Sequence, residues 1–383
     1  MLLTMSQGNS DNQATSLKFI KALVLISCIG VVITLLQHFN SIQIIHFVFA
    51  GRPDNTSGIP SIDPDDFRVF PSQSSPKVSA SLVDLESLDW PEDPVAAHPA
   101  GIQNLRGEFL PLPPAYEPVM SDAQRKLTRR LLHTFSETMF ANGLGDRFML
   151  YGGTLLGSYR HHDFIPWDDD ADVLVDVSIR DKVRQILFKL RPHYNLYTSE
   201  PRDKLYGPLI NQAEKELDVE KSRPVRMYGW PFMDICYFTS NGTHVKDIAS
   251  SPAQRFIWPH EIVFPLYFRP FGRHWFPAPR DTWLFNRIKY GLVERCLKFG
   301  YSHVREANAK FAAVMCRQLA HKYPFVEHTP CRGVSSKQTE MNFDMVVAEE
   351  RLVLHVNSNY TRTYHSLCLA VPRNRVKTQI VFV

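Results

Sequence analysis

The chain has 383 residues, of which 44% are hydrophobic and 21% charged, and its formal net charge is +4. That length and balance exclude a wholly disordered chain, a collagen and a disulfide mini-scaffold, and so small a charge gives no basic field for nucleic acid. No internal repeat recurs along it, which excludes solenoids and propellers.

Residues 22–51 contain no Asp, Glu, Lys or Arg, and the densest part is KALVLISCIGVVITLLQHF over 21–39. That run reaches the roughly 20 apolar residues needed to span a bilayer. It is apolar all round, unlike a core helix, and too long and too far from the start for a cleaved signal peptide. A transmembrane signal anchor is predicted over 18–39. Lys18 and Lys21 stand at its amino-terminal end and the next cation is Arg52, so residues 1–17 are expected in the cytosol and the part after the span in the lumen. Residues 40–118 are rich in Pro with Ser and Asp between them, a stem composition that buries no core, with local docking expected only at Trp90 and near Val95.

Sequons at Asn55, Asn241 and Asn359 suit a lumenal globule. So do Cys236, Cys296, Cys316, Cys331 and Cys368, because disulfides persist there. Their odd number leaves one unpaired within the chain, and Cys236, set in an apolar strand, is expected to be a buried thiol. Anchor, stem and globule form the layout of a single-pass type II transferase of the Golgi or ER membrane.

The globule is expected over 119–318, with 319–383 as an extension of undefined structure. A capping pair, Ser121 and Gln124, opens a helix predicted over 121–142. A strand follows at 147–151, then a Gly152-Gly153-Thr154 turn into a short helix. The next strand, 170–177, alternates, with its carboxylates and Leu174 outward. Ser178 is expected to cap a helix to about 190; a strand is predicted at 232–238, an amphipathic helix over 302–322, and strands at 349–356 and 379–383. The class is α+β, a mixed sheet flanked by helices.

Asp168, Asp169, Asp170 and Asp172 crowd into one turn and strand. Such a cluster repels itself unless cations or solvent neutralise it. Asp170 and Asp172 are two apart on a strand and share a face, so together they suit a hard cation such as Mg²⁺ or Mn²⁺. Gly152, Gly153 and Thr154 at a helix start are candidates to hold phosphates. Asp234, alone in an apolar strand, is the candidate third ligand, and Arg160 a phosphate partner. His161 and His162 are expected at the surface. The order of these pieces is that of a nucleotidyltransferase-like fold.

GGTLLGSYRHHDFIPWDDDADV resembles the signature of the LicD family, the fukutin and fukutin-related type of phosphotransferase. WPFMDICYF resembles its second block, and the run from VFPLYF to RIKYG its third. The resemblance implies metal-dependent transfer of an alcohol phosphate from a CDP-linked donor to a glycan or glycoprotein acceptor, with release of CMP. By motif it makes Asp170, Asp172 and Asp234 the metal ligands and gives Asp168 a supporting role at the acceptor. Two other functions share parts of the pattern: a D-x-D glycosyltransferase, which has no use for the upstream glycines or Asp234, and a non-catalytic Golgi scaffold keeping the fold.

Overall fold

The computed structural model describes residues 62–71, 82–248, 255–331, 344–357 and 359–375. The predicted anchor over 18–39 and the strand expected at 379–383 lie outside these residues. Among the described residues no helix is long and apolar enough to cross a membrane.

Helix α1 spans Asp122–Ala141, and Gln124 Oε1 accepts the Ser121 N–H at 3.1 Å, the reach-back half of the capping pair read from sequence. Leu127, Leu131, Phe135 and Met139, at helical spacing, are all buried. Strand β1 (Phe148–Leu150) leads into α2 (Gly152–His161), and β2 (Ala171–Asp176) follows. After α3 (Arg180–Phe188) come β3 (Asn195–Tyr197), β4 (Asp203–Tyr206), β5 (Phe232–Ser240), β6 (His244–Asp247) and β7 (Ile257–Pro259). These seven strands form one sheet ordered β1-β2-β5-β4-β3, with β6 on β5 and β7 on β6. The β2–β5 pair is parallel and the other pairings are antiparallel, so the sheet is mixed, as expected.

Several expectations are corrected. Leu174 is fully buried, because β2 lies in the interior of a sheet covered on both faces. Asp176, not Ser178, caps the turn before α3, its carboxylate accepting the Ser178 N–H at 2.8 Å. The helix predicted over 302–322 does not form. Tyr301–Ser302 pairs with Ala307–Asn308, Arg295–Lys298 pairs with Ala312–Met315, and a 3-10 turn covers Cys316–Leu319. Glu306 takes a left-handed conformation (φ 49°), which no helix interior tolerates, and the Cys296–Cys316 disulfide staples the strands.

The described part of the presumed stem is built into the globule. Phe67, Val69 and Leu85 join the main core; the Val69 N–H bonds Leu266 O at 3.0 Å. A few well-placed apolar side chains add to an existing core even where the local composition could not make one of its own. The described part of the C-terminal segment also packs on the globule. Phe325–Pro330, Met345–Asn357 and Tyr360–Pro372 make an antiparallel three-stranded sheet whose Met345, Leu367 and Leu369 enter the same core. The strand expected at 349–356 lies within it. A second disulfide joins Cys331 and Cys368, and Cys236 is a free buried thiol, as predicted.

Candidate active site

The parallel register of β2 and β5 sets Asp172 directly beside Asp234, and the antiparallel register of β4 sets Lys204 on the other side of Asp234. Asp170 enters just before β2. One carboxylate oxygen from each of Asp170, Asp172 and Asp234 lies within 4.8 Å of the others. Asp169, Asp170 and His303 make a second such group. All-oxygen donors from three carboxylates match a hard divalent cation in chemistry and number.

The glycine pair makes room for these acids. Gly152 has φ +56°, and a Cβ there would collide with the Asp172 carboxylate; a Cβ on Gly153 would collide with that of Asp168. The Gly153 N–H donates to Asp172 Oδ2 at 3.3 Å, and the Asp172 N–H donates to Thr154 Oγ1 at 2.8 Å. Gly152 and Gly153 line the cleft, with the Asp172 and Asp168 carboxylates set against them. The Thr154 hydroxyl instead fixes the D-x-D backbone.

Charge compensation within the cluster is uneven. Burial pushes the Asp168 carboxyl up to about 7, helped by the neighbouring Asp169 charge. Burial also raises Asp170 and Asp172, the latter further through Asp234. Asp169 and Asp234 go the other way. Burial works against both charges, but His303 overcomes it at Asp169, with Nδ1–Oδ1 at 2.8 Å. At Asp234 the overcoming groups are Lys204 (2.6 Å) and Arg202 (3.2 Å). His303 Nε2 also stands 3.4 Å from Asp170 Oδ2, and these two acids hold its imidazole well above the ordinary histidine range against the effect of burial.

The cluster floors a cleft of about 300 Å³. Its cationic walls are Arg202, Lys289 and Lys298. Lys289 donates to the Tyr151 hydroxyl at 2.7 Å, and that hydroxyl donates to Asp247 at 2.6 Å. Lys298 donates to Trp167 O at 2.9 Å, which holds the loop carrying Asp168. Burial lowers the Lys289 ammonium, against the opposing effect of the Asp172 charge.

Two placements depart from the sequence reading. Arg160 does not reach the cleft: its guanidinium is 2% exposed and donates to Val293 O (2.8 Å) and Arg295 O (2.8 Å). Being on the buried side of α2, it ties down the stapled strands instead. His161 and His162 are buried rather than superficial. His162 stands 2.9 Å from Glu350, and His161 Nδ1 donates to Pro324 O. Lys204, Arg202, Lys289, Lys298 and His303 were not singled out from sequence. For Lys289 a signal existed, since it sits in the RIKYG end of the third block.

A sequence model of the family described as "LicD/FKTN/FKRP, nucleotidyltransferase domain" matches residues 145–281. "Ribitol 5-phosphate transferase FKRP" of Homo sapiens is 27% identical over 147 residues, covering 38% of this chain and 28% of its own. The Mus musculus protein of that name is 26% identical over the same shares. "Lipopolysaccharide cholinephosphotransferase LicD" of Haemophilus influenzae is 43% identical over 54 residues, 14% of this chain and 20% of its own. The matches thus span under a third of those relatives' length. Among solved structures, the lincosamide antibiotic adenylyltransferase LnuA with lincomycin aligns at 14% identity over 40% of this chain and 78% of its own; at a TM-score of 0.23 that likeness carries no weight. The family match encloses Gly152, Gly153, Asp168, Asp170, Asp172 and Asp234, so the support for a LicD family member resembling the fukutin-related proteins rests on residues 145–281.

Proposed function

We propose that the protein transfers an alcohol phosphate from a CDP-linked donor to a glycan or glycoprotein acceptor and releases CMP. The observation that carries this reading is the convergence of Asp170, Asp172 and Asp234 at the floor of a cleft walled by Arg202, Lys289 and Lys298. Acids that gather a cation, facing cations that gather a diphosphate, are the parts phosphoryl transfer needs. The likeness to a ribitol 5-phosphate transferase and a cholinephosphotransferase supports the same class.

Asp170 and Asp172 would hold the cation, with Asp234 as the third carboxylate, and Mg²⁺ or Mn²⁺ suits these oxygens. What such an ion supplies is neutralisation of charge on the departing CMP. Lys289 and Lys298 bind and orient the diphosphate in the role expected of Arg160, while Gly152 and Gly153 let it approach the backbone. Asp168, across from Gly153, orients the acceptor hydroxyl. His303 fixes Asp169 and Asp170 from the far side. A sugar hydroxyl then attacks the β-phosphorus in line, and positioning with electrostatics carries the rate.

The setting we propose is the Golgi or ER lumen, with a single type II span over 18–39. The charge bias of Lys18 and Lys21, the two disulfides, and the exposure of Asn241 and Asn359 support it. Protein made in animal cells should shift on endoglycosidase treatment; an unshifted protein cut by cytosolic protease beyond residue 60 would refute that topology. The function itself is tested by offering CDP-ribitol, CDP-glycerol and CDP-choline with Mg²⁺ and measuring CMP. No release from any of them, alongside turnover of a UDP-sugar, would replace this reading with a glycosyltransferase.

A further inference from the structure

Both oxygens of the buried Asp234 carboxylate are already taken. Lys204 Nζ donates to Oδ1 at 2.6 Å, and Arg202 Nη1 donates to Oδ2 at 3.2 Å. A divalent ion held by that carboxylate would compete with these two cations and repel them. They differ in where they can go. The Arg202 side chain is 43% exposed and can turn out to water. That of Lys204 is 12% exposed, and a buried ammonium is costly unless it is paired. Given the three-acid cation site proposed above, we infer that Glu306 is a positioning residue of that site: the acceptor to which Lys204 moves when an ion takes Asp234.

Glu306 Oε1 lies 4.0 Å from Lys204 Nζ. It is buried and accepts no hydrogen bond, an expensive state for a carboxylate oxygen. The rest of the residue is fixed. Oε2 accepts the Tyr228 hydroxyl at 2.6 Å and the Tyr301 hydroxyl at 3.3 Å, and Arg226 donates to the Glu306 backbone carbonyl at 2.6 Å. One oxygen anchors the side chain while the other stands ready beside the ammonium. Among the described residues, the carboxylates within 4.0 Å of Lys204 Nζ are those of Asp234 and Glu306.

The move is short and stays favourable for a cation. A shift of about 1 Å brings Nζ from 4.0 Å to hydrogen-bond distance of Oε1. Nζ lies 3.6 Å from the centre of the Phe232 ring and 4.9 Å from that of Tyr228, so cation–π attraction accompanies it. After the exchange every charge is answered: the ion by three acids, Lys204 by Glu306, and Arg202 by water. Glu306 lies beyond residues 145–281, so the family match gives it no role.

The test is titration calorimetry of the full chain with Mn²⁺ alone, on the parent, Glu306→Gln, Lys204→Met and the double variant, each shown by its melting curve in EDTA to be folded. Glu306→Gln should weaken Mn²⁺ binding at least about tenfold, the scale of one hydrogen bond to a charged group. Lys204→Met, with no ammonium to displace, should bind Mn²⁺ at least as tightly as the parent. On that background Glu306→Gln should change the affinity by less than about threefold, because the two residues act as one unit. Unaltered affinity in Glu306→Gln would overturn the proposal. So would a tenfold loss that persists without Lys204, since Glu306 would then act on the ion through its own charge. Weaker binding by Lys204→Met would overturn it as well, and that titration decides even if Glu306→Gln fails to fold. A parent that binds no Mn²⁺ would remove the three-acid site itself, and this proposal with it.

Discussion

Asp234→Asn should destabilise the metal-free protein, although Asp234 stands among like charges. With an effective dielectric near 20, Lys204 at 2.6 Å and Arg202 at 3.2 Å attract Asp234 by about 6 and about 5 kcal/mol. Asp172, within 4.8 Å, repels it by about 3.5 kcal/mol or more on the same scale. Burial opposes charge on Asp170 and so weakens its repulsion of Asp234. Desolvation of both ions consumes most of the surplus, leaving a net loss of about 2 kcal/mol. For a folded unit of this size that is a fall of about 3 °C in melting temperature. Asp170→Asn, which removes a carboxyl whose ionisation burial opposes, should melt as high as the parent or higher in EDTA. Both variants should lose metal-dependent CMP release by at least about a hundredfold. Scanning calorimetry in EDTA is the assay. An Asp234→Asn variant melting at or above the parent would show that repulsion wins, and the pairing argument would fail.

Three other outcomes are expected. Chelation should abolish CMP release, Mg²⁺ or Mn²⁺ should restore it, and the melting temperature should rise with the ion, because a ligand of the native state stabilises by mass action; release unaffected by EDTA would refute the three-acid site. Lys289→Met should cut release by about a hundredfold at unchanged helix content, whereas Arg160→Met should lower stability while the surviving folded fraction turns over normally; the reverse split would restore Arg160 to the phosphate site. Burial pushes the Asp93 carboxyl up, but the hydrogen bonds and charges of Arg129 and Arg125 outweigh it and hold the pKa at about 2, below the ordinary 3.8. The stabilisation is therefore complete above pH 4 and lost as pH falls from 3.8 toward 2, by about 1–2 kcal/mol after screening of a group partly open to solvent. Acid unfolding of Asp93→Asn should lack that step, and an unchanged acid limb would refute it.

What could be read from sequence was local. Helix α1 carries its cap and its 3.6-residue stripe within its own length, and the acids before and within β2 declare themselves by crowding. Lys204 and Arg202 were illegible because only the β4–β5 register brings them to Asp234. His303 reaches Asp169 across 134 positions of sequence, through strands that were read as a helix. That misreading arose because apolar residues in short paired strands can fall at helical spacing by chance, and no capping residue opposed it. Pro-rich composition similarly hid Phe67 and Leu85, whose burial depends on surfaces supplied by far later residues.

The single rung that carries Asp172, Asp234 and Lys204 has a consequence for biogenesis. The three side chains come from three strands, one of them joined in parallel through a long crossover, so no early hairpin can bring them together. A slip of one residue in β5 would turn Asp234 to the opposite face and put Met233 or Ile235 in its place. The three-acid cluster thus assembles only when the central strands have closed in their final alignment, late in a search that long-range pairing makes slow. Ion binding would act as a proofreader of strand alignment, holding correctly threaded chains and leaving shifted ones to unravel.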